Sequence, residues 1–163
     1  MSENGLVRVD RWEKVGYSGA QWTMLLGEHQ HSLDEKNRLT LPAKLRGSFQ
    51  DGVVLTEGLD GCLYAYPRAE WERTVERVRG LDAFSADARY MQRRFFGGAT
   101  PGELDRQGRL VIPAALLEKA KLEREVTVVG VWSHLEIWDR ATLRAKQRDD
   151  EGRAEDVAER LAN

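Results

Sequence analysis

The chain is short of several features that would narrow its role at once. It carries a single cysteine, Cys62, so no intrachain disulfide can form. That usage agrees with a reducing compartment, and a zinc site built on cysteines is equally disfavoured. Long apolar runs are missing too. The longest mainly apolar stretch, Val126 to Trp132, falls far below the ~20 residues a membrane helix needs, so no span is expected. Residues 1–23 have scattered charges and no apolar segment of the secretory kind, which points to a cytoplasmic protein. There is no excess of positive charge either. The formal net charge is −2, whereas a strongly basic balance is the usual footprint of a nucleic-acid binder, so bulk charge weighs mildly against DNA. Catalytic signatures are absent as well: no Gly-x-Ser-x-Gly, no Cys/His pair and no dinucleotide fingerprint. The glycine-rich stretch Phe95 to Glu103 lacks the Lys-Ser/Thr of a phosphate-binding loop. No enzyme activity and no cofactor are expected.

What is present is one phrase written twice. Residues 33–46 read LDEKNRLTLPAKLR and residues 104–117 read LDRQGRLVIPAALL. Asp34 and Asp105, Arg38 and Arg109, and Pro42 and Pro113 all stand at the same offset of 71. Downstream, LYAYPRAEW from Leu63 matches LEIWDRATL from Leu135 at an offset of 72, so one residue has been added between. Two modules with one element order are the simplest account. We place them at 24–98 and 99–163, with 1–23 as an N-terminal extension or a mis-assigned start. At 41% hydrophobic and 32% charged the composition is that of a soluble globular protein. Neither module, of roughly 50 core residues, would bury enough surface to stand comfortably alone, so the two should share one core.

Each module carries the same local signals. In RLTLP and RLVIP, Leu39 and Leu41, or Leu110 and Ile112, fall on one face at period two, which predicts a short strand. Pro42, Pro67 and Pro113 suit the first turn of a helix, where the missing N–H has no partner to lose. Two apolar strands follow in each module, VVLT then CLYAY, and VTVVGVW then LEIW. A helix with Trp71, Val75 and Val78 on one stripe, and another from Ser85 with Ala88, Met91 and Phe95, should close the first module near Gly98. Asp139 should cap a C-terminal helix, whose end, with Gly152 in the pattern, is expected to fray. The fold class is therefore α+β.

The loops between each Asp and Arg carry the chemistry. The residue before the arginine is Asn37 in one copy and Gly108 in the other, the two types that best tolerate the positive φ of a tight turn. A single copy reads as a hairpin tied by its own side chains. Two copies read as a two-pronged surface, because arginine suits bidentate recognition of phosphate or guanine and Asp can hold a neighbouring guanidinium in one pose. An Asp so paired stays ionised, which argues against acid–base chemistry. Around the first copy, Lys36, Arg38, Lys44 and Arg46 form a local basic face with no acid between Glu35 and Asp51. His29 and His31 would share a strand face, but no further ligands cluster nearby and no metal is expected. Tyr64, Tyr66, Trp71, Trp132 and Trp138 are expected to pack a barrel and subunit contacts, and Arg93 and Arg94 to form a solvated helix face.

The doubled Asp-x-x-x-Arg phrase, with FFGGA between the copies and LEIW after them, resembles the MraZ family over about residues 24–145. The resemblance implies two tandem SpoVT/AbrB-like swapped-hairpin modules forming one pseudo-symmetric β-barrel with flanking helices. It implies a homo-oligomeric ring that binds double-stranded DNA at short direct repeats upstream of the division and cell-wall gene cluster, its own gene included. A cytoplasmic, nucleoid-associated regulator, most simply a repressor, follows from it, with the methyltransferase encoded next door as a further partner. The family's DNA-contacting arginines carry over onto Arg38 and Arg109, with Asp34 and Asp105 completing the motifs and Lys36 adding a phosphate contact. This chain departs from the family in having Asn37 where glycine is usual. The other class is an antitoxin-like or scaffold module that binds protein through its charged tail and has no specific DNA target.

Overall fold

A computed structural model describes residues 25–163, so the expectation for 1–23 lies outside the described residues. The first module supplies β1 (Leu25–Ser32), β2 (Arg38–Thr40), α1 (Ala43–Arg46), β3 (Val53–Glu57), β4 (Leu63–Pro67), α2 (Arg68–Arg79) and α3 (Ala86–Gly97). The second supplies β5 (Thr100–Gly102), β6 (Arg109–Val111), α4 (Ala114–Lys119), β7 (Glu125–Trp132), β8 (Leu135–Asp139), α5 (Arg140–Asp149) and α6 (Ala154–Ala162). Each helix expected to begin on a proline opens one residue later than expected, after its proline rather than on it. Pro42, Pro67 and Pro113 sit just outside, with φ between −52° and −59° and extended ψ. The carbonyls of Pro42 and Pro113 accept from Leu45 and Leu116, so each proline ends an extended segment and begins a helix without spending a donor.

The strands of one module complete the sheet of the other. The larger sheet runs β1-β7-β8-β4-β3-β5, antiparallel throughout, and a separate two-stranded ladder pairs β2 with β6. Thus β1 lies along β7 and β5 along β3, each crossing to the opposite module. The register is self-complementary: Leu39 pairs with Leu110 and Tyr64 with Glu136, each residue opposite its own counterpart in the repeat. A pseudo-two-fold axis passes through both pairs. Beneath the small ladder, Leu39, Leu41, Leu45, Leu110, Ile112 and Leu116 are buried together with Val53, Leu55, Val126 and Val128 in one aliphatic core drawn from both modules. Closure into a barrel, expected from the resemblance, is not what the pairing gives. The larger sheet is open, with β1 and β5 as its edges, and the β2–β6 ladder is hydrogen-bonded apart from it.

Helices α2, α3 and α5 lie on the other face of the large sheet, and there most of the aromatic residues collect. Tyr66, Trp71 and Phe95 interlock, with Trp71 stacked on Phe95 at 5.1 Å, while His134 stacks on Tyr66 at 4.7 Å. Trp138, Cys62 and Leu143 form a second cluster beneath α5. Four of the five aromatic residues expected in the barrel therefore pack this outer face, leaving the core between modules almost wholly aliphatic. Trp132 stays half exposed at the end of β7. Arg94, expected on a solvated face, instead bonds Glu57 at 2.9 Å and the Gly58 carbonyl at 2.8 Å, pinning α3 to β3. Asp139 caps α5 as anticipated, and the helix expected from Ser85 is capped by that serine, whose side chain accepts from Ala88 N. The tail does not fray: Gly152, at φ +77°, ends the turn after α5 and a further helix, α6, follows.

Candidate nucleic-acid interface

The two Asp-to-Arg turns are built alike, atom for atom. Asp34 Oδ1 accepts from the backbone N–H groups of Lys36 and Arg38, both at 2.9 Å, and Arg38 Nε donates to Oδ2 at 2.6 Å. Asp105 Oδ1 accepts from Gln107 and Arg109, again at 2.9 Å, and Arg109 Nε donates to Oδ2 at 2.7 Å. Asn37 and Gly108 take positive φ, 57° and 73°, as the turn chemistry required. Both carboxyls are held below the ordinary carboxylate range, chiefly by the arginine backbone N–H and then by its side chain and the second N–H. They stay anionic and lock the guanidinium by its Nε edge. Among the described residues the Nη groups of Arg38 and Arg109 meet no partner, and these are the donors a planar acceptor would need.

Pairing of β2 with β6 brings the two turns together. Since Leu39 and Leu110 point inward, the alternate residues Arg38, Thr40, Arg109 and Val111 point outward. Arg38 and Arg109 are diagonal neighbours on this ladder, roughly 7–8 Å apart at the backbone. The turns are also tied crosswise: Leu41 N donates to the Gly108 carbonyl and Ile112 N to the Asn37 carbonyl, each at 3.0 Å. Lys36 stands exposed at the tip of the first turn.

Two features were not read from the sequence. Val111 is 59% exposed in the middle of the charged ribbon, which the alternation of RLV about an inward Leu110 could have revealed. Arg46 lies across the second turn, its Nε donating to the Leu41 carbonyl at 2.8 Å, so close to Gly108 that a Cβ there would overlap it. Its counterpart in the repeat is Leu117, so this third guanidinium serves one turn only, beside a cleft bordered by Phe49, Glu103 and Arg106. The histidines are not brought together with other ligands: no group of three or more His, Cys, Asp or Glu among the described residues is placed to hold a metal. Nor, among those residues, is any helix long and apolar enough to cross a membrane.

A family model described as "MraZ protein, putative antitoxin-like" matches the chain twice, over residues 24–94 and 95–163. The chain is 45% identical over 138 residues to the transcriptional regulator MraZ of Heliobacterium modesticaldum, covering 85% of this chain and 96% of that protein. It is 43% identical to the protein of the same name from Pelotomaculum thermopropionicum and 42% to that of Moorella thermoacetica. Each of these two alignments spans 140 residues, 86% of this chain and at least 97% of the relative. With both copies of the repeat matched and nearly the whole length of each relative covered, the chain belongs to the MraZ family.

Proposed function

We propose that this chain is a sequence-specific DNA-binding transcriptional regulator whose reading surface is the β2–β6 ribbon. The observation that carries it is the pair of guanidinium groups, each clamped at Nε by its own carboxylate and each offering Nη donors outward from a two-stranded ribbon. A two-stranded ribbon fits the major groove, where a fixed guanidinium can bond guanine O6 and N7. Thr40 and Val111 between the arginines suit the thymine methyl. Lys36, Arg46 and Arg106 flank them and suit phosphate, while Asp34 and Asp105 act by holding Arg38 and Arg109. The naming of the relatives as transcriptional regulators supports the same class.

On this reading the chain acts on short direct repeats upstream of its own division and cell-wall gene cluster, as a repressor. It does so as a ring-shaped homo-oligomer of AbrB-type swapped-hairpin modules associated with the nucleoid, with the neighbouring methyltransferase as a candidate partner. The module boundary near Gly98 belongs to the same proposal. Assembly answers the charge objection: weak contacts from linked subunits on repeated sites gain effective concentration, multiplying affinity by ~10² or more. The test is a mobility shift on the DNA upstream of its own gene, at two salt concentrations. Wild type should bind tightly and lose affinity steeply with salt. Arg38→Ala and Arg109→Ala should each weaken specific binding by about 1–3 kcal/mol per site. Folded wild type that ignores this DNA would sink the proposal. The antitoxin-like wording of the family description and the uncovered α6 favour a protein-interaction module as the second reading. Capture of a partner protein with no DNA binding would support that instead.

A further inference from the structure

The internal symmetry of the chain shows what belongs on each of its surfaces. In the first module, α3 lies on the outer face of the sheet over β3. It covers Thr56, which is 0% exposed and donates to the Phe95 carbonyl at 2.7 Å, and it reaches Gly58 through Arg94. Thr56 pairs with Tyr64, and Val129 pairs with Glu136. Because Tyr64 and Glu136 are counterparts, Val129 corresponds to Thr56 and Val131 to Gly58. In the second module α5 covers this face only as far as Val129 and Glu28, the latter bonded by Gln147 at 3.1 Å. Beyond it the cross-strand pair Leu26 and Val131 is left open, at 46% and 38% exposure.

The helix that follows α5 in chain order, as α3 follows α2, is α6, and none of its residues is buried. Val157 and Leu161 stand one turn apart on one side of it, and Leu161 is 84% exposed. The chain thus presents a helix without a dock and a dock without a helix. We propose that α6 of one copy docks on the Leu26–Val131 face of a second copy. The connection argues for a second copy rather than the same chain. α2 and α3 are joined through residues 80–85, whereas α5, two residues shorter than α2, is joined to α6 by only residues 150–153. That short link is itself set: Arg153 pairs with Asp150 through both backbone and side chain, and Gly152 holds positive φ. Donor and acceptor are different surfaces, so the contact is head-to-tail, the kind that closes into rings. The inference rests on the self-association proposed above and is independent of DNA recognition.

The test measures solution mass by light scattering for the full chain, Leu161→Asp, Val131→Asp, Leu26→Asp and a chain lacking residues 1–23. All three substituted positions are exposed, and unfolding midpoints close to wild type confirm that the variants fold. Wild type should assemble, and each substitution should weaken association at least ~10-fold. An equal mixture of Leu161→Asp and Val131→Asp should recover a two-chain complex, because one variant keeps an intact helix and the other an intact dock. Leu161→Asp assembling like wild type, or a mixture that recovers nothing, overturns the inference while leaving self-association standing. Loss of assembly in the chain lacking residues 1–23 and in the two dock variants, with Leu161→Asp unaffected, names that segment as the occupant and overturns it too. A wild type that stays a single chain removes the self-association proposal and this inference together.

Discussion

Asp34 and Asp105 each divide their work between two oxygens. Oδ1 organises the turn by accepting two N–H groups, and Oδ2 aims the arginine. Titration of these carboxyls belongs to strong acid, since both lie below their ordinary value of 3.8 and their contribution is lost as pH falls through that lowered range. His134 acts earlier. Burial against Tyr64 and Tyr66, with Arg77 nearby, takes it from 6.5 down to about 4, so the fold favours the neutral ring. A depressed folded value contributes stability that is present above pH 6.5 and lost as pH falls toward 4. We therefore expect wild-type stability to decline across that window. In His134→Gln the decline should be shallower but not abolished, because His31 is lowered in the same direction by burial and by His29 and Arg140. Urea midpoints at pH 7, 5.5 and 4.5 check this, and parallel declines in both proteins would remove His134 from the account.

At the scale of elements, the proposed function falls mostly on the least backbone, the three-residue strands β2 and β6. Each has one inward residue, Leu39 or Leu110, and the two meet at the pseudo-two-fold axis with essentially no exposure. Leu39→Ala or Leu110→Ala should cost about 2–5 kcal/mol, with a double mutant that departs from additivity because the side chains share one space. Denaturant unfolding of the two single mutants and the double mutant measures it. These strands also mark the limit of what could be read beforehand. The Asp-to-Arg turns, the leucines on one face, the helix start at Ser85 and the cap at Asp139 are local chemistry, and all stand where expected. The pairing partners are not local. Nothing in RLT says that it lies against RLV rather than within its own module, and the Arg46–Gly108 contact joins residues that no periodicity connects. The prolines were displaced by one position for a local reason: their extended ψ suits the residue just before a helix as well as their fixed φ suits its first turn. Gly152 was taken as a weakness in one helix, and instead it separates two.

For the molecule as a whole, exchange of β1 and β5 between modules leaves neither half with a complete sheet or core. Separate chains of residues 24–98 and 99–163 should each be unfolded by circular dichroism and should regain strand signal when mixed, while the intact chain unfolds in one transition. A fragment that folds alone would show that the halves are independent. The crosswise bonds from Leu41 to Gly108 and from Ile112 to Asn37 extend this unity to the outer surface. Each turn is anchored to the strand that leads out of the other, so neither arginine can shift along the ribbon without carrying its twin. The two guanidinium groups form a caliper with a locked jaw, and if the proposed DNA recognition holds, a duplex whose contacts are spaced differently must bend or twist to meet it.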